Sequence, residues 1–178
     1  MESLKGQFLL ASPSLLDPNF AKSVVLIVRH DDDGAFGLVI NRPLSVTVAE
    51  AIGEHIAAAV DCAAPLHSGG PCEGPVFVLH RDAVIGGDEP LTNVFCTTDR
   101  DAIEAIIGSP DKPSKIFGSY AGWSPSQLEA ELAESAWVIC PAKPEDVFST
   151  DPSLWKALHT RAHLSRYVDR MPDDPSLN

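Results

Sequence analysis

The sequence has few basic residues and no long apolar run. Its 13 Lys and Arg stand against 25 Asp and Glu, which gives a net charge of −12. A field of that sign repels phosphate backbones, so a nucleic-acid binder would need a strong local basic patch. No apolar stretch approaches the ~18 residues that a membrane span needs. The N-terminal residues show no signal-peptide pattern, so we expect a cytoplasmic, bacterial-type protein without direct membrane or nucleic-acid binding.

Cysteine is scarce, and its spacing excludes the common metal sites. The four cysteines, Cys62, Cys72, Cys96 and Cys140, include no CxxC pair and match no zinc pattern. In a reducing cytosol they are expected to be thiols that pack as small apolar residues. We therefore predict neither a metal nor a cofactor.

The common catalytic signatures are also missing. Ser68–Gly74 is rich in glycine but lacks the lysine and the following helix of a phosphate-binding P-loop. Gly118–Gly122 is not a nucleophile elbow, because its serine occupies the second position instead of the third. His159 and His163 are four residues apart, but Thr160 stands where a zinc protease needs glutamate. No residue is therefore predicted to be catalytic.

The sequence does contain an alternation of short apolar strands and single helices. Asp31–Gly34 lacks the spacing of a calcium loop and is predicted to be the turn of a hairpin. Hairpins pair antiparallel, whereas strand–helix–strand passages also allow parallel pairing. We predict an α/β (α+β) single domain over residues 1–170, with a mixed sheet flanked by helices, and a mobile tail over 171–178. The predicted strands are Gln7–Ser12, Ser23–His30, Ala35–Asn41, Val76–His80, Asn93–Thr97, Lys115–Tyr120 and Ala136–Cys140.

Two helices are predicted from their starts. Thr47-x-x-Glu50 is a capping box, and the apolar stripe after it continues to Ala59. His55 lies on that stripe, so we interpret it as a buried core histidine. Thr98-x-x-Asp101 resembles a second helix start, and Gly108 predicts its end.

Two later helices carry polar patterns. Ser124–Gln127 is a dense start signal, in which Ser124 caps the helix, proline follows and Gln127 closes a capping box. A final helix is predicted over Ser153–Arg170. We interpret the cationic stripe on this helix as a solvated face; DNA contact is the alternative, which the net charge opposes. The stripe consists of Lys156, His159, His163, Arg166 and Arg170.

Three segments are candidate binding sites, and each has a structural alternative. The first, 41–43, ends a strand with an arginine that could bind an anion or lie on the surface of a capped strand. Glycines in the second, 69–71, suit a close approach of chains or unusual backbone angles. The third, 118–127, is predicted to be a strand-to-helix turn that either holds an anion at the helix start or packs through Tyr120 and Trp123. The candidate residues are Asn41, Arg42, Pro43, Gly69, Gly70, Pro71, Tyr120, Ala121, Gly122, Trp123 and Gln127.

Together these segments resemble the YqgE/AlgH family of small bacterial proteins. The strongest matching blocks are Gly37-Leu-Val-Ile-Asn-Arg-Pro43 and Tyr120-Ala-Gly-Trp123 followed by Gln127-Leu-Glu129, and the matches cover about residues 6–165. The resemblance implies a split mixed sheet, curled into a partial barrel and flanked by helices. It implies no established activity, and the family's label of putative transcriptional regulator comes without a DNA-binding motif. Ser126 stands where the family has glycine. Cys140 stands where some relatives also have cysteine, which leaves a redox role open.

Two functions of different class follow as hypotheses. The first is a non-enzymatic regulatory or binding protein, which meets an unknown protein or a small anionic ligand on a surface that gathers the three candidate segments. The alternative is an enzyme or binder acting on a small anionic molecule. In that version Arg42 and the helix start at Ser124 hold the anion, and His80 is the general base. The sequence does not predict an oligomeric state.

Overall fold

The computed structural model describes residues 2–168, which form one ten-stranded sheet with helices packed on it. The strands are β1 Gln7–Ala11, β2 Val24–Asp31, β3 Gly34–Val39, β4 Pro43–Thr47, β5 Pro65–His67, β6 Cys72–His80, β7 Asp88–Leu91, β8 Val94–Thr97, β9 Ser114–Trp123 and β10 Trp137–Pro141. The helices of the described residues are α1 Val48–Ile52, α2 Arg100–Gly108, α3 Gln127–Ala133, α4 Pro144–Val147 and α5 Leu154–Val168, with a 3₁₀ turn at Ala57–Ala59. The predicted tail over 171–178 lies outside the described residues.

The sheet is mixed and does not close. Its main path runs β10-β1-β2-β3-β9-β6-β8-β7, with antiparallel neighbours throughout. β5 pairs in parallel with β9, and β4 pairs with β5. The sheet curls so that β7 approaches the chain ahead of β1, since a Cβ added to Gly6 would lie 2.4 Å from the Pro90 carbonyl oxygen. The predicted fold class and the β2–β3 hairpin are therefore confirmed.

β9 is the central strand, and two different strands share one of its edges. β3 pairs with Ala121–Trp123, whereas β5 pairs with Ile116 and Phe117. β6 covers the opposite edge. The gap between β3 and β5 is where the predicted split of the sheet lies.

The core has three clusters of buried side chains. One lies between the sheet and α5 and includes Phe8, Phe117 and Leu158. A second, on the side of α3, contains Trp123 and Trp137. The third packs β5 and the first half of β9 against α1 and α2. Within residues 2–168, no helix combines the length and apolar character required to cross a membrane.

The helix predicted after Thr47 is shorter than expected. Its capping box is present, but α1 ends at Ile52 and the chain turns before the 3₁₀ segment that buries Ala59. His55 lies in this turn and is exposed, so its prediction as a core histidine is wrong. Glycine in a helix interior costs about 1 kcal/mol relative to alanine. Gly53 therefore ends the helix. The apolar residues of the predicted stripe are divided between α1 and the 3₁₀ turn.

The segment predicted as a turn at Tyr120–Trp123 is part of strand β9. Its backbone pairs with Ala35–Gly37 of β3, and this tertiary pairing outweighs the weak strand preference of glycine. α3 begins only at Gln127, so the prediction that Ser124 caps the helix is wrong. Ser126 precedes the helix in a left-handed conformation (φ +64°), which explains why glycine suits this position.

The cationic stripe on α5 is interrupted. Lys156 and His163 are exposed, but His159 is buried and its Nε2–H donates to the Ala11 carbonyl, 3.0 Å away. The prediction of one continuous solvated face is therefore wrong at His159. The side chain of Arg166 and all of Arg170 lie outside the described part of the chain.

Smaller differences concern short elements. β4, β5, β7 and α4 were not predicted, because each is five residues or shorter and lacks a clear apolar period. The second helix begins at Arg100, with Asp99 as its N-cap: the Asp99 carboxylate accepts the Ala102 N–H at 2.9 Å. All four cysteines are free, and each is buried or half-buried, as predicted.

Candidate functional site

Arg42 is bonded to the chain's own backbone. It follows β3 and is half-buried, and its guanidinium forms no ion pair with a carboxylate among residues 2–168. Its N–H groups instead donate to the loop that leads into β2, at the carbonyl oxygens of Pro18 (3.4 Å), Asn19 and Ala21 (3.1 Å). Arg42 therefore acts as a clamp on this loop.

Asn41 makes a similar internal connection. Its Oδ1 accepts the Val24 N–H at 2.8 Å, and its Nδ2 donates to the Lys22 carbonyl at 3.0 Å. These bonds satisfy the backbone where β2 begins. The pair of polar residues after β3 thus holds the preceding loop in place.

The Gly69-Gly70 segment crosses β9 at the split in the sheet. A Cβ on Gly69 would lie 2.1 Å from the Ser119 carbonyl oxygen, and one on Gly70 would lie 2.4 Å from backbone atoms of Tyr120 and Ala121. Gly70 also has a φ of +153°. The predicted close approach of chains is confirmed, since any side chain here would separate this loop from β9.

Trp123, Gln127 and Glu131 form one hydrogen-bonded network. The indole N–H of Trp123 and that of Trp137 both donate to Glu131 Oε2, at 2.9 and 2.8 Å. Gln127 Nε2 donates to Glu131 Oε1 at 3.0 Å, and Gln127 Oε1 accepts the Ser124 N–H at 3.1 Å. Glu131 therefore connects α3 to Trp123 of β9 and to Trp137 of β10, and Gln127 holds its carboxylate in place.

Tyr120 lines a cleft of about 520 Å³ beside the second half of β9, here named the Tyr120 cavity. Its ring packs with Phe36 and Phe77, at centroid distances of 5.3 and 5.7 Å. A Cβ on Gly74 or Gly122 would lie 2.9 or 3.2 Å from the Tyr120 ring. These two glycines make room for the ring to lie against the sheet.

A larger cavity of about 600 Å³ lies beside the first half of β9, and we name it the Lys115 cavity. Its walls come from β5, α2, the end of β3 and the segment between α4 and α5. Most of the lining is apolar. The lining residues are Ile40, Asn41, Pro43, Cys62, Ala64, Pro65, His67, Ile106, Ile107, Pro110, Lys112, Pro113, Ser114, Lys115, Ile116, Phe148, Ser149, Thr150, Asp151 and Pro152.

Lys115 is the most unusual group in this cavity. Its side chain is 6% exposed, and its Nζ donates to the carbonyls of Ile40 (2.8 Å) and Ser149 (2.7 Å). Among residues 2–168, none of the ion pairs involves Lys115. Burial lowers the pKa of this amine to about 8, so it is still mostly protonated at pH 7. An ammonium has three donors, and these bonds use two of them.

His67 is a second buried polar group in the wall. It is 7% exposed, its Nδ1 has no hydrogen-bond partner among the described residues, and its ring lies 5.5 Å from that of Phe117. Burial, and then the positive charge of Lys115, lower the pKa of His67 to about 4. The imidazole is therefore neutral at physiological pH.

The remaining charged groups of the cavity already have partners. Lys112 Nζ lies 2.8 Å from Asp82 Oδ2. Asp151 Oδ1 accepts the Ser153 N–H at 2.8 Å, and this bond lowers the pKa of the carboxyl group. Lys115 is thus the one lining cation that the described residues leave without an anionic partner.

The structure does not bring the predicted site residues together in one pocket. Asn41 and Pro43 line the Lys115 cavity, whereas Tyr120, Gly122 and Trp123 line the Tyr120 cavity. The others line neither of these two cavities: Arg42, Gly69, Gly70, Pro71, Ala121 and Gln127.

The predicted anion site built from Arg42, Ser124 and His80 is not assembled either. Ser124 lies beside Gly34 at the start of β3, whereas Arg42 follows the end of that strand, roughly 20 Å away at 3.3 Å per residue. His80 is 1% exposed and pairs with Ser114, at the opposite end of β9 from Ser124. These three groups cannot contact one small ligand.

Sequence reasoning missed Lys115 and His67. A lysine at the start of a predicted strand is normally exposed, and a histidine beside Ser68-Gly69 resembles an ordinary loop residue. Their only sequence signal is the apolar Ile116-Phe117 that follows Lys115. It becomes informative once β5 is known to pair with these residues.

Comparison with known proteins agrees with the fold and its motifs. The sequence profile of the AlgH-like family (DUF179) matches residues 8–165. This chain belongs to the AlgH-like family. It is 41% identical over 158 residues to a UPF0301 protein of Pseudomonas putida, covering 85% of this chain and 84% of that protein. A UPF0301 protein of Streptomyces avermitilis is 35% identical and covers 100% of this chain and 97% of its own length.

Two solved structures have the same architecture. The solution structure of the AlgH protein from Pseudomonas aeruginosa superposes with a TM-score of 0.74 at 33% identity, covering 97% of this chain and 96% of that one. The crystal structure of protein DIP2367 from Corynebacterium diphtheriae has a TM-score of 0.70 at 25% identity, with 90% and 87% coverage. The resemblance to this family drawn from the motifs is confirmed.

Proposed function

We propose that this AlgH-like protein binds a small organic anion in the Lys115 cavity and acts through binding, without catalysing a reaction. One observation carries the proposal: Lys115 lines the cavity, and its buried ammonium has no carboxylate partner among residues 2–168. Buried charges in proteins are normally paired, because an isolated charge loses its hydration. An anionic ligand would supply the missing partner.

The size and walls of the cavity support a small-molecule ligand. Ligand sites are mostly concave spaces of about 300–1,000 Å³, lined by apolar side chains with a few polar groups that orient the ligand. The Lys115 cavity has about 600 Å³, and Ile106, Ile116 and Phe148 are among its apolar walls. Lys115 supplies the orienting charge.

The bonds of Lys115 favour binding over catalysis. The carbonyls of Ile40 and Ser149 accept its N–H groups and so favour the charged ammonium over the neutral amine. A ligand that draws the ammonium inward would pull on both segments at once. Ile40 immediately precedes the Asn41-Arg42 clamp, so occupancy of the cavity has a direct route to the neighbouring surface. This route suits a regulatory protein that reports a ligand to a partner.

An enzyme acting on a small anionic molecule is the second candidate. The pKa of about 8 leaves about a tenth of the Lys115 amine neutral at pH 7, which would suit imine formation with a carbonyl compound. Trapping with borohydride after incubation with an anionic aldehyde, followed by mass spectrometry of Lys115, separates the two. An adduct trapped at Lys115 and at no other lysine supports the enzyme hypothesis. If no adduct is trapped, simple binding is supported.

The proposal is tested with the fluorescent anion 1-anilinonaphthalene-8-sulfonate. We expect Lys115→Met to weaken binding of this probe at least tenfold, because the ammonium is lost. Lys156→Met is the matched control, since Lys156 is exposed and does not line the cavity. It should change the affinity less than twofold.

Folding of the variants is checked by near-UV circular dichroism. Lys115→Gln serves as a second variant, because it removes the positive charge and keeps a polar side chain. Unchanged probe affinity in both folded Lys115 variants would refute the proposal. So would an equal loss in the Lys156→Met control.

A further inference from the structure

We infer that the ligand of the Lys115 cavity is an amphipathic monoanion: one carboxylate on an apolar body, of the medium-chain fatty acid class. This inference rests on the proposed function, which requires only an anion. It specifies that the ligand carries one negative charge and that the rest of the ligand is apolar. Both follow from what surrounds Lys115.

Lys115 is the one cation of the lining that has no carboxylate within ion-pair distance among residues 2–168. The lining contains two lysines, and Asp82 neutralises Lys112 at 2.8 Å. The lining histidine, His67, is buried beside Lys115 and is neutral at pH 7. A phosphate dianion would therefore carry a second negative charge into a low-dielectric site without a second cation, which is strongly unfavourable.

The neighbours of the ammonium also disfavour a group with many oxygens. Lys115 Nζ lies between two carbonyl oxygens, those of Ile40 (2.8 Å) and Ser149 (2.7 Å), which leaves one of its three donors. Asp151 adds a carboxylate to the same lining. A carboxylate ligand can accept the remaining N–H with one oxygen. The three terminal oxygens of a phosphate would meet these acceptors and be repelled.

The rest of the wall suits a hydrocarbon chain. Ile40, Ile106 and Ile116 are buried side chains of the lining, and Ile107 and Phe148 are half-buried. A small inorganic anion would leave this apolar surface in contact with water. An alkyl chain would remove it from water and gain affinity with each carbon added.

The experiment is displacement of 1-anilinonaphthalene-8-sulfonate from the full-length protein by four probes: octanoate, 1-octanol, octyl phosphate and inorganic phosphate. Octanoate should bind at least tenfold more tightly than octanol or octyl phosphate. Inorganic phosphate should not displace the dye. Across butanoate, hexanoate and octanoate, affinity should rise by up to about fourfold per added CH₂.

The variants assign the effect to the cavity. Lys115→Met should remove the preference for octanoate over octanol, whereas Lys156→Met, at an exposed lysine outside the lining, should keep it. The inference is overturned, with the proposed function intact, if octyl phosphate or inorganic phosphate binds more tightly than octanoate in a Lys115-dependent way. If octanol equals octanoate and Lys115→Met has no effect on any probe, both the inference and the proposed function fail.

Discussion

The segments with the strongest sequence motifs and the Lys115 cavity differ in what their polar groups contact. In the motifs, Arg42 donates to backbone carbonyls, Asn41 caps β2, and Trp123 donates to Glu131. In the cavity, Lys115 keeps a free donor and His67 has a buried nitrogen without a partner among the described residues.

This difference shows where a binding site is to be sought in the fold. A polar group that is fully bonded inside the protein has little left to offer a ligand, however distinctive its motif. A buried charge without a partner has lost hydration that a ligand can replace. We therefore propose that the bonded motif residues serve mainly stability and that Lys115 and its cavity serve binding. Four predictions test this assignment.

Gly70→Ala should have the largest effect. Its Cβ would lie 2.4 Å from backbone atoms of Tyr120 and Ala121, at a φ of +153° that alanine rarely adopts. We expect the free energy of unfolding to fall by at least about 3 kcal/mol in urea denaturation. Gly108→Ala is the control, because nothing lies within 4 Å of its Cβ. A loss under 1 kcal/mol for Gly70→Ala would contradict the close approach of the loop and β9.

His67 should make the protein sensitive to acid. Its pKa is about 4 in the folded state, against an ordinary value of 6.5. As pH falls from 6.5 to 4, the unfolded chain takes up a proton that the folded chain does not, so the free energy of unfolding falls by up to about 3 kcal/mol. Chemical denaturation at pH 7 and pH 4.5 measures this loss.

His67→Phe should be less acid-sensitive than the parent protein by that amount. Burial also lowers the pKa of His80, so its contribution of the same sign remains in the variant. His55→Gln is the control, because His55 is exposed. Equal acid sensitivity of His67→Phe and the parent would mean that His67 is not buried in its neutral form.

Arg42→Ala should destabilise the protein without affecting the cavity. Loss of its charged hydrogen bonds to the loop at 18–21 should lower the free energy of unfolding by about 2 kcal/mol. Probe affinity at the Lys115 cavity should stay within twofold. Arg29→Ala is the matched control, since the Arg29 side chain is 72% exposed and pairs with Asp31 on the surface. A large loss of probe binding with unchanged stability would mean that Arg42 serves binding at the cavity and does not stabilise the fold.

Ser126→Gly should have the smallest effect and the opposite sign. Ser126 has a φ of +64°, where a side chain costs energy that glycine avoids. We expect the free energy of unfolding to rise by up to about 1 kcal/mol. Ser109→Gly, at a φ of −130°, should bring no such gain. A loss of stability in Ser126→Gly would show that the serine side chain contributes a contact.

Much of the fold could be predicted because its signals are local. The β2–β3 hairpin follows from alternating apolar residues around Asp31–Gly34, and the Thr47 capping box forms as its spacing requires. The elements that were missed, such as β5, are short and depend on distant partners. β5 exists because its residues pair with Ile116 and Phe117, some 50 positions later in the chain.

The candidate site could not be predicted for a related reason. Motifs identified the family, because residues such as Gly70 and Trp123 are demanded by close contacts. They did not identify the cavity, since Lys115 and His67 become unusual only when β5, α2 and the segment after α4 enclose them.

The sequence by itself determined the mixed α/β class, the hairpin, the helix starts at Thr47 and near Asp99, and the family. These depend on periodicity, capping and backbone sterics, which act between near neighbours. Only the tertiary structure decided that Arg42 is a clamp, that Tyr120–Trp123 is a strand, and that Lys115 is a buried cation beside a cavity. Burial and the loss of hydration are properties of a residue's surroundings, and those surroundings come from every part of the chain.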